Sequence, residues 1–171
     1  NADLYWGVRG GSGNFGVVTS IEYRLHAFDG QAFGGHLVYP FAQAHRVLRG
    51  YAELFPQAPD ELWVEPVVVA AAGERLVILD VCYSGPMSSA EQAIAPFRRL
   101  GTPLQDALGP TRYVRLQTTD DERLRFGHRY YTKSGFAKDL SADLIDLIIQ
   151  TIAGTTPGTV RVTISPRGGA I

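Results

Sequence analysis

Three stretches of the chain carry groups whose types and spacing could do chemistry. The first is Gly11-Ser12-Gly13-Asn14-Phe15-Gly16, which fits the pattern G-x-G-x-x-G. In a Rossmann unit that pattern joins a strand to a helix whose N-terminus meets a pyrophosphate. Here a helical segment precedes the glycines and a period-two run follows them, so the helix dipole that should face phosphate is missing and the Rossmann reading is rejected. Two readings stay open. One is a tight helix-to-strand connection that needs positive φ. In the other, residues without Cβ let main-chain N–H groups come close to an anionic or planar cofactor, with no helix required. The second stretch holds Arg129, Tyr131 and Lys133, and the third Arg161, Thr163 and Ser165. Each trio falls on alternate positions of an expected strand and so shares one face. Tyr131 or Lys133 could hydrogen-bond a substrate or tune its acidity, and Arg161 is a further substrate-binding candidate; otherwise all three are solvated strand residues.

The remaining ionisable groups point elsewhere. His26, His36, His45 and His128 lack metal-ligand spacing and form no Ser-His-Asp or Cys-His pattern, so each is read as structural and no metal is expected. Asp120, Asp121 and Glu122 cluster in a turn, where Asp commonly bonds nearby backbone N–H groups. The single cysteine, Cys82, sits in the apolar run Leu76 to Tyr83 and reads as a buried small hydrophobe; it excludes an intramolecular disulfide. Sixteen Lys and Arg against 17 Asp and Glu give a net charge of −1, which creates no long-range field toward nucleic acid or anionic lipid. No apolar run approaches bilayer length.

Positioning these groups requires a scaffold, and the 45% hydrophobic content over 171 residues supplies one core. A short helix is expected from Asn1, as N-cap, to about Arg9, stopped by Gly10 and Gly11. Phe15, Val17, Thr19, Ile21, Tyr23 and Leu25 then alternate with polar residues as a half-buried strand. Further strands are predicted over Ala32 to Tyr39, Leu62 to Ala72, Leu76 to Tyr83, Arg112 to Thr118, His128 to Phe136 and Thr159 to Ser165. The second and third of these form an antiparallel hairpin around Gly73-Glu74. Amphipathic helices are predicted over Phe41 to Phe55, from Ser88 or Ser89 to about Leu100, and from a Ser141 cap to Gly154 and Pro157. The middle one carries a capping box with Glu91 or Gln92, is kinked or interrupted by Pro96, and ends near Arg98-Arg99, where cations meet the helix dipole. Strands linked by hairpins or single helices imply an α+β fold, a mainly antiparallel sheet with helices on one face.

The first 19 residues, Asn1-Ala2-Asp3-Leu4-Tyr5-Trp6-Gly7-Val8-Arg9-Gly10-Gly11-Ser12-Gly13-Asn14-Phe15-Gly16-Val17-Val18-Thr19, closely resemble a segment of berberine-bridge-enzyme-like FAD-linked oxidases, often written N-P-D-L-F-W-A-L-R-G-G-G-G-N-F-G-V-V-T. That segment closes the family's FAD-binding domain. The departures are Ala2, Tyr5, Gly7, Val8 and Ser12, and none removes a group expected to react. Tyr130-Tyr131-Thr132-Lys133-Ser134 resembles the family's Y-x-x-K-S strand, and Pro166-Arg167-Gly168-Gly169 its P-x-G-G turn.

The resemblance implies that FAD is the cofactor and that Gly11, Gly13, Asn14, Phe15, Gly16 and Val18 lie against it. The covalent attachment residues and a Tyr-x-Asn motif that helps deprotonate substrate are expected outside this chain. It further implies that residues 1–30 end an FAD-binding domain and 31–171 form a substrate-binding domain whose helix-free face meets the flavin ring. A small-molecule substrate and the preceding FAD domain are the expected partners, without nucleic acid or membrane; a homodimer and a cytoplasmic or secreted location stay open. The implied activity is hydride transfer to FAD from a C–H bond next to oxygen or nitrogen, then electrons to oxygen, with the fragment alone inactive. The rival is a non-catalytic ligand-binding or assembly domain on the same scaffold. Cytokinin-dehydrogenase-like flavoproteins share the loop.

Overall fold

The computed structural model describes residues 1–25, 27–155 and 159–167. Helix α1 (Ala2–Val8) is capped as the sequence suggests, with the Asn1 side chain accepting from the N–H groups of Asp3 at 3.0 Å and Leu4 at 3.2 Å. Strand β1 (Gln31–Pro40), helix α2 (Ala44–Leu54), strands β2 (Leu62–Ala71) and β3 (Glu74–Tyr83) and helix α3 (Ala90–Arg98) follow. Then come β4 (Gln105–Asp106), β5 (Gly109–Arg112), α4 (Tyr113–Gln117), α5 (Ala142–Ala153) and β6 (Val160–Thr163).

The strands form one antiparallel sheet in the order β4-β1-β3-β2-β6, with β5 also pairing the outer edge of β1. β2 and β3 occupy its interior because their β-branched residues tolerate burial on both faces. They pair from Leu62↔Tyr83 to Ala71↔Glu74 around a two-residue turn. That turn places Ala72 at φ 51 and Gly73 at φ 83, the left-handed pair that suits the twist of a tight hairpin. The register fixes two unlike faces. Leu37, Tyr39, Val64, Val68, Val77, Leu79 and Val81 are buried on one, beneath Val47, Leu48, Ile94, Phe97, Ile145 and Ile152 of α2, α3 and α5. Each such side chain contributes roughly 1.5–3 kcal/mol by leaving water.

Polar tips in this core are satisfied by backbone. The Tyr39 hydroxyl donates to Phe97 O at 3.1 Å and the Tyr51 hydroxyl to Val64 O at 3.0 Å, tying α3 and α2 to the sheet. Arg75 donates to Ile152 O and Ala153 O at 3.0 Å and to Thr155 O at 3.2 Å. A cation thereby meets the unsatisfied carbonyls at the end of α5. Ser141 caps the other end, accepting from Leu144 N at 3.3 Å.

Several expectations are corrected. Residues 12–15 form a 3-10 turn and 17–25 pair with no strand, so the alternation from Phe15 to Leu25 produces exposed, unpaired backbone. Arg112 ends β5 and Tyr113–Gln117 is helical, which replaces the strand predicted to reach Thr118. Residues 128–136 carry no strand and are exposed. Alternation specifies a two-faced strand, but a strand exists only where an edge is available to pair with it. A 3-10 turn at Met87–Ser89 leads into α3, and neither serine caps it through its side chain. The helix passes Pro96 and ends two residues later. Cys82 is half-buried on the sheet face opposite α2, α3 and α5. Asp120 and Glu122 pair with Arg123 and Arg125, not with backbone. His26, Pro157 and the glycines of the P-x-G-G turn lie outside the described residues.

Candidate functional site

The glycine loop splits into a packed side and a bare side. The Phe15 ring lies against Gly7 and Gly11, where an added Cβ would come within 2.8 Å and 2.7 Å of ring carbons. The Asn14 amide donates to Gly11 O at 3.0 Å. Phe15 and Asn14 thus build the loop with their side chains. Outward, Gly10 at φ +128 and Gly16 at φ +131 meet nothing within 4 Å, nor does Gly13, and Val18 is exposed. The positive φ expected of a tight turn is found at Gly10 and Gly16, but the turn leads into no paired strand. Gly7 and Gly11 serve packing, while Gly10, Gly13 and Gly16 leave main chain open to a planar or anionic group. An FAD fits this loop through backbone approach.

The second region was not singled out in the sequence. On the sheet face opposite α2, α3 and α5, strand register lines up a polar row. His36 on β1 faces Asp80 on β3, and Asp80 faces Glu65 on β2. The Ser165 hydroxyl donates to Glu65 just beyond β6. The flanking rows are Val38, Ile78, Val67 and Thr163 on one side, and Gly34, Cys82 and Trp63 on the other. Periodicity along each strand gives only the face; alignment across four strands needs the register. A sequence signal existed in the isolated charges at Glu65 and Asp80, each set among apolar residues.

Arg161 joins this row from β6. Its guanidinium lies 3.6 Å from Asp80 Oδ2 and 3.9 Å from Asp120 Oδ2, and its Nε donates to Thr163 Oγ1 at 3.2 Å. Asp120 belongs to the turn after α4, and Arg123 grips it with bonds of 3.1 and 2.7 Å. Burial pushes the Asp80 carboxyl above the usual carboxylate range; Arg161 opposes this, Asp120 adds to it, and His36 and Glu65 act in smaller measure in opposite senses. The Arg123 hydrogen bond holds Asp120 below that range. Burial likewise raises the Cys82 thiol. The row is thus a half-buried charge network on an otherwise apolar surface, able to bind a polar substrate group and to hold a proton.

The predicted trios fare differently. Arg161, Thr163 and Ser165 do line up on the face opposite α2, α3 and α5, which also carries α4 through Leu116 over Gly34. Arg129, Tyr131 and Lys133 are on no strand: Tyr131 is 85% exposed and Lys133 Nζ sits 5.7 Å from its ring centroid. Nearby, the Tyr130 hydroxyl donates to Arg123 O at 2.6 Å. Among the described residues no cluster has the makeup of a metal site, and no helix is long and apolar enough to cross a membrane.

No family model matches the chain. It is 26% identical over 174 aligned residues to an FAD-linked oxidoreductase of Dictyostelium discoideum, covering all of this chain and 37% of that protein. It is 27% identical over 115 residues to (R)-6-hydroxynicotine oxidase of Paenarthrobacter nicotinovorans, covering 65% of this chain and 25% of that enzyme. Among solved structures, 6-hydroxy-D-nicotine oxidase from Arthrobacter nicotinovorans superposes with a TM-score of 0.62 at 24% identity, over 72% of this chain and 28% of the other. The fold is accordingly like that of part of this solved oxidase. Its sequence relatives include FAD-linked oxidoreductases, and it spans about a third or less of their length.

Proposed function

We propose that this chain supplies the substrate-facing sheet and part of the flavin-binding loop of an FAD-dependent oxidase. Residues 1–30 act with the FAD-binding domain, and residues 31–171 form the substrate-binding domain. The observation that carries the reading is the conjunction of a glycine loop with bare backbone at Gly10, Gly13 and Gly16 and a sheet face bearing one polar row. Bound FAD supplies a two-electron acceptor for hydride from a C–H bond next to oxygen or nitrogen. The loop backbone at Gly10, Gly13 and Gly16 would hold the cofactor, with Val18 beside it. The sheet face binds the substrate, Arg161 and the row holding its polar groups while Val38 and Ile78 exclude water from the apolar part.

Tyr131 and Lys133 enter this reading only when their segment moves from its exposed position onto the sheet face. The test is expression of the longer parent protein beside this 171-residue chain. The parent is expected to carry FAD and to be bleached anaerobically by an alcohol or amine, whereas this chain is expected to be colourless or to bind FAD weakly and to be inactive. A parent that purifies without flavin and cannot be loaded with FAD would support a non-catalytic binding or assembly domain instead.

A further inference from the structure

Resting on the proposed function, we infer that Asp80 is a proton-accepting residue of the sheet face opposite α2, α3 and α5, and Arg161 its positioning residue. Asp80 lies on β3, the middle strand of the order β4-β1-β3-β2-β6, so its side chain emerges at the centre of that face. It is the one member of the polar row with an ionisable neighbour on both adjacent strands, His36 across β1 and Glu65 across β2. Of the two carboxylates in the row, Glu65 already accepts the Ser165 hydroxyl. Asp80 instead faces the Arg161 guanidinium at 3.6 Å, a separation that fixes its charge environment without the short, paired bonds that would occupy both oxygens.

The groups around Asp80 come from every neighbouring element: His36 from β1, Glu65 from β2, Arg161 from β6, and Asp120 with Arg123 from the turn after α4. Burial and the two other carboxylates favour its protonated form, whereas Arg161 favours the ionised one. This balance yields a base stronger than an ordinary surface carboxylate yet ionised once the pH exceeds its raised value. In the reaction, the O–H or N–H bond of the substrate breaks and its proton forms an O–H bond with Asp80 Oδ. The electron pair left on oxygen or nitrogen closes the C=O or C=N bond as the adjacent hydrogen leaves with its bonding pair as hydride. The substrate loses two electrons, and FAD, the oxidant of the proposed function, gains them.

The test uses the full-length FAD-loaded protein and the absorption spectrum of its bound flavin as pH is varied, with no substrate present. A flavin facing this carboxylate registers its ionisation as an inflection above the ordinary carboxylate range. Asp80→Asn is expected to abolish that inflection with FAD content unchanged, Arg161→Gln to move it to higher pH, and Glu65→Gln to move it to lower pH. Opposite shifts from two neighbours are not produced by a merely structural role. An inflection that survives Asp80→Asn, or that stays in place in both neighbour variants, overturns the inference while leaving the flavoprotein reading intact. A parent that binds no flavin overturns both. In case Asp80→Asn fails to fold, the two neighbour variants decide alone, and carbon-13 titration of the Asp80 carboxyl in the 171-residue chain checks the same directions.

Discussion

The β2–β3 hairpin and the stretch from Tyr113 to Phe136 begin from similar sequence promise and end in opposite states. Both contain alternating or β-branched runs flanked by turn residues. In the hairpin, Val64, Val68, Val77 and Leu79 have no exposed surface and each strand has a partner on both sides. In the other stretch only a single turn of helix forms, and Phe126, Tyr131 and Phe136 stand almost fully in water. The N-terminal 25 residues resemble the second case, with Val17 at 91% exposure. Local propensity is comparable in the two regions; available partners are not. Apolar alternation thus identifies surface that needs covering, and under the proposed function an FAD-binding domain would cover residues 1–25.

This contrast is sharpest for truncation. Ile145→Ala, in the buried face of α5, should cost about 2–5 kcal/mol in urea-induced unfolding because lost transfer energy and a cavity add. Val17→Ala should change the same measurement by less than about 0.5 kcal/mol. Equal effects would mean that the N-terminal arm is packed as tightly as the core.

Next in size is the clamp between sheet and helix. Arg75→Ala removes two bonds to the last carbonyls of α5 and one to Thr155 just beyond it, and should lower stability by about 1–2 kcal/mol, with faster amide exchange confined to the C-terminal turn of α5. Uniform loss of protection across the sheet would show that Arg75 supports more than that end. Tyr51→Phe deletes one buried donor and leaves Val64 O unpaired, for an expected cost near 1 kcal/mol in the same unfolding assay.

The smallest effect concerns alkaline pH. Burial raises the Tyr39 phenol from 10.0 to about 12, with Asp106 adding and Arg98 opposing, and burial raises Tyr51 also. A folded-state value above the unfolded one means that this contribution is intact below pH 10 and is lost as pH rises toward 12. Stability should therefore fall between those values, and Tyr39→Phe should flatten the decline measured by chemical denaturation at each pH. An unchanged slope in the variant would place the alkaline sensitivity elsewhere.

Residues that decide their own conformation were legible one by one. Asn1 and Ser141 cap their helices as expected, and Gly73 takes a positive φ in the turn of the predicted hairpin. The short strand β5 was missed and the helix after it was read as a strand, because four or five residues are too few for either period to declare itself. The site was legible only in parts. Arg161 could be placed on a strand from its own neighbours, and the glycine loop from its composition. Asp80 looked like one charge in an apolar strand, and His36 like one structural histidine.

What the sequence determined by itself is each element whose pattern is satisfied inside the element or against a hydrophobic face: the hairpin, α2, α5 and the antiparallel class of the sheet. What only the tertiary structure decided is which period-two segments acquire partners and which side chains from separate strands share a row. The physical reason is that hydrogen-bond pairing and cross-strand register are relations between distant segments. The pattern of any one strand fixes which side chains face the same way, but the alignment of His36, Asp80 and Glu65 exists only once β1, β3 and β2 are locked by their common core.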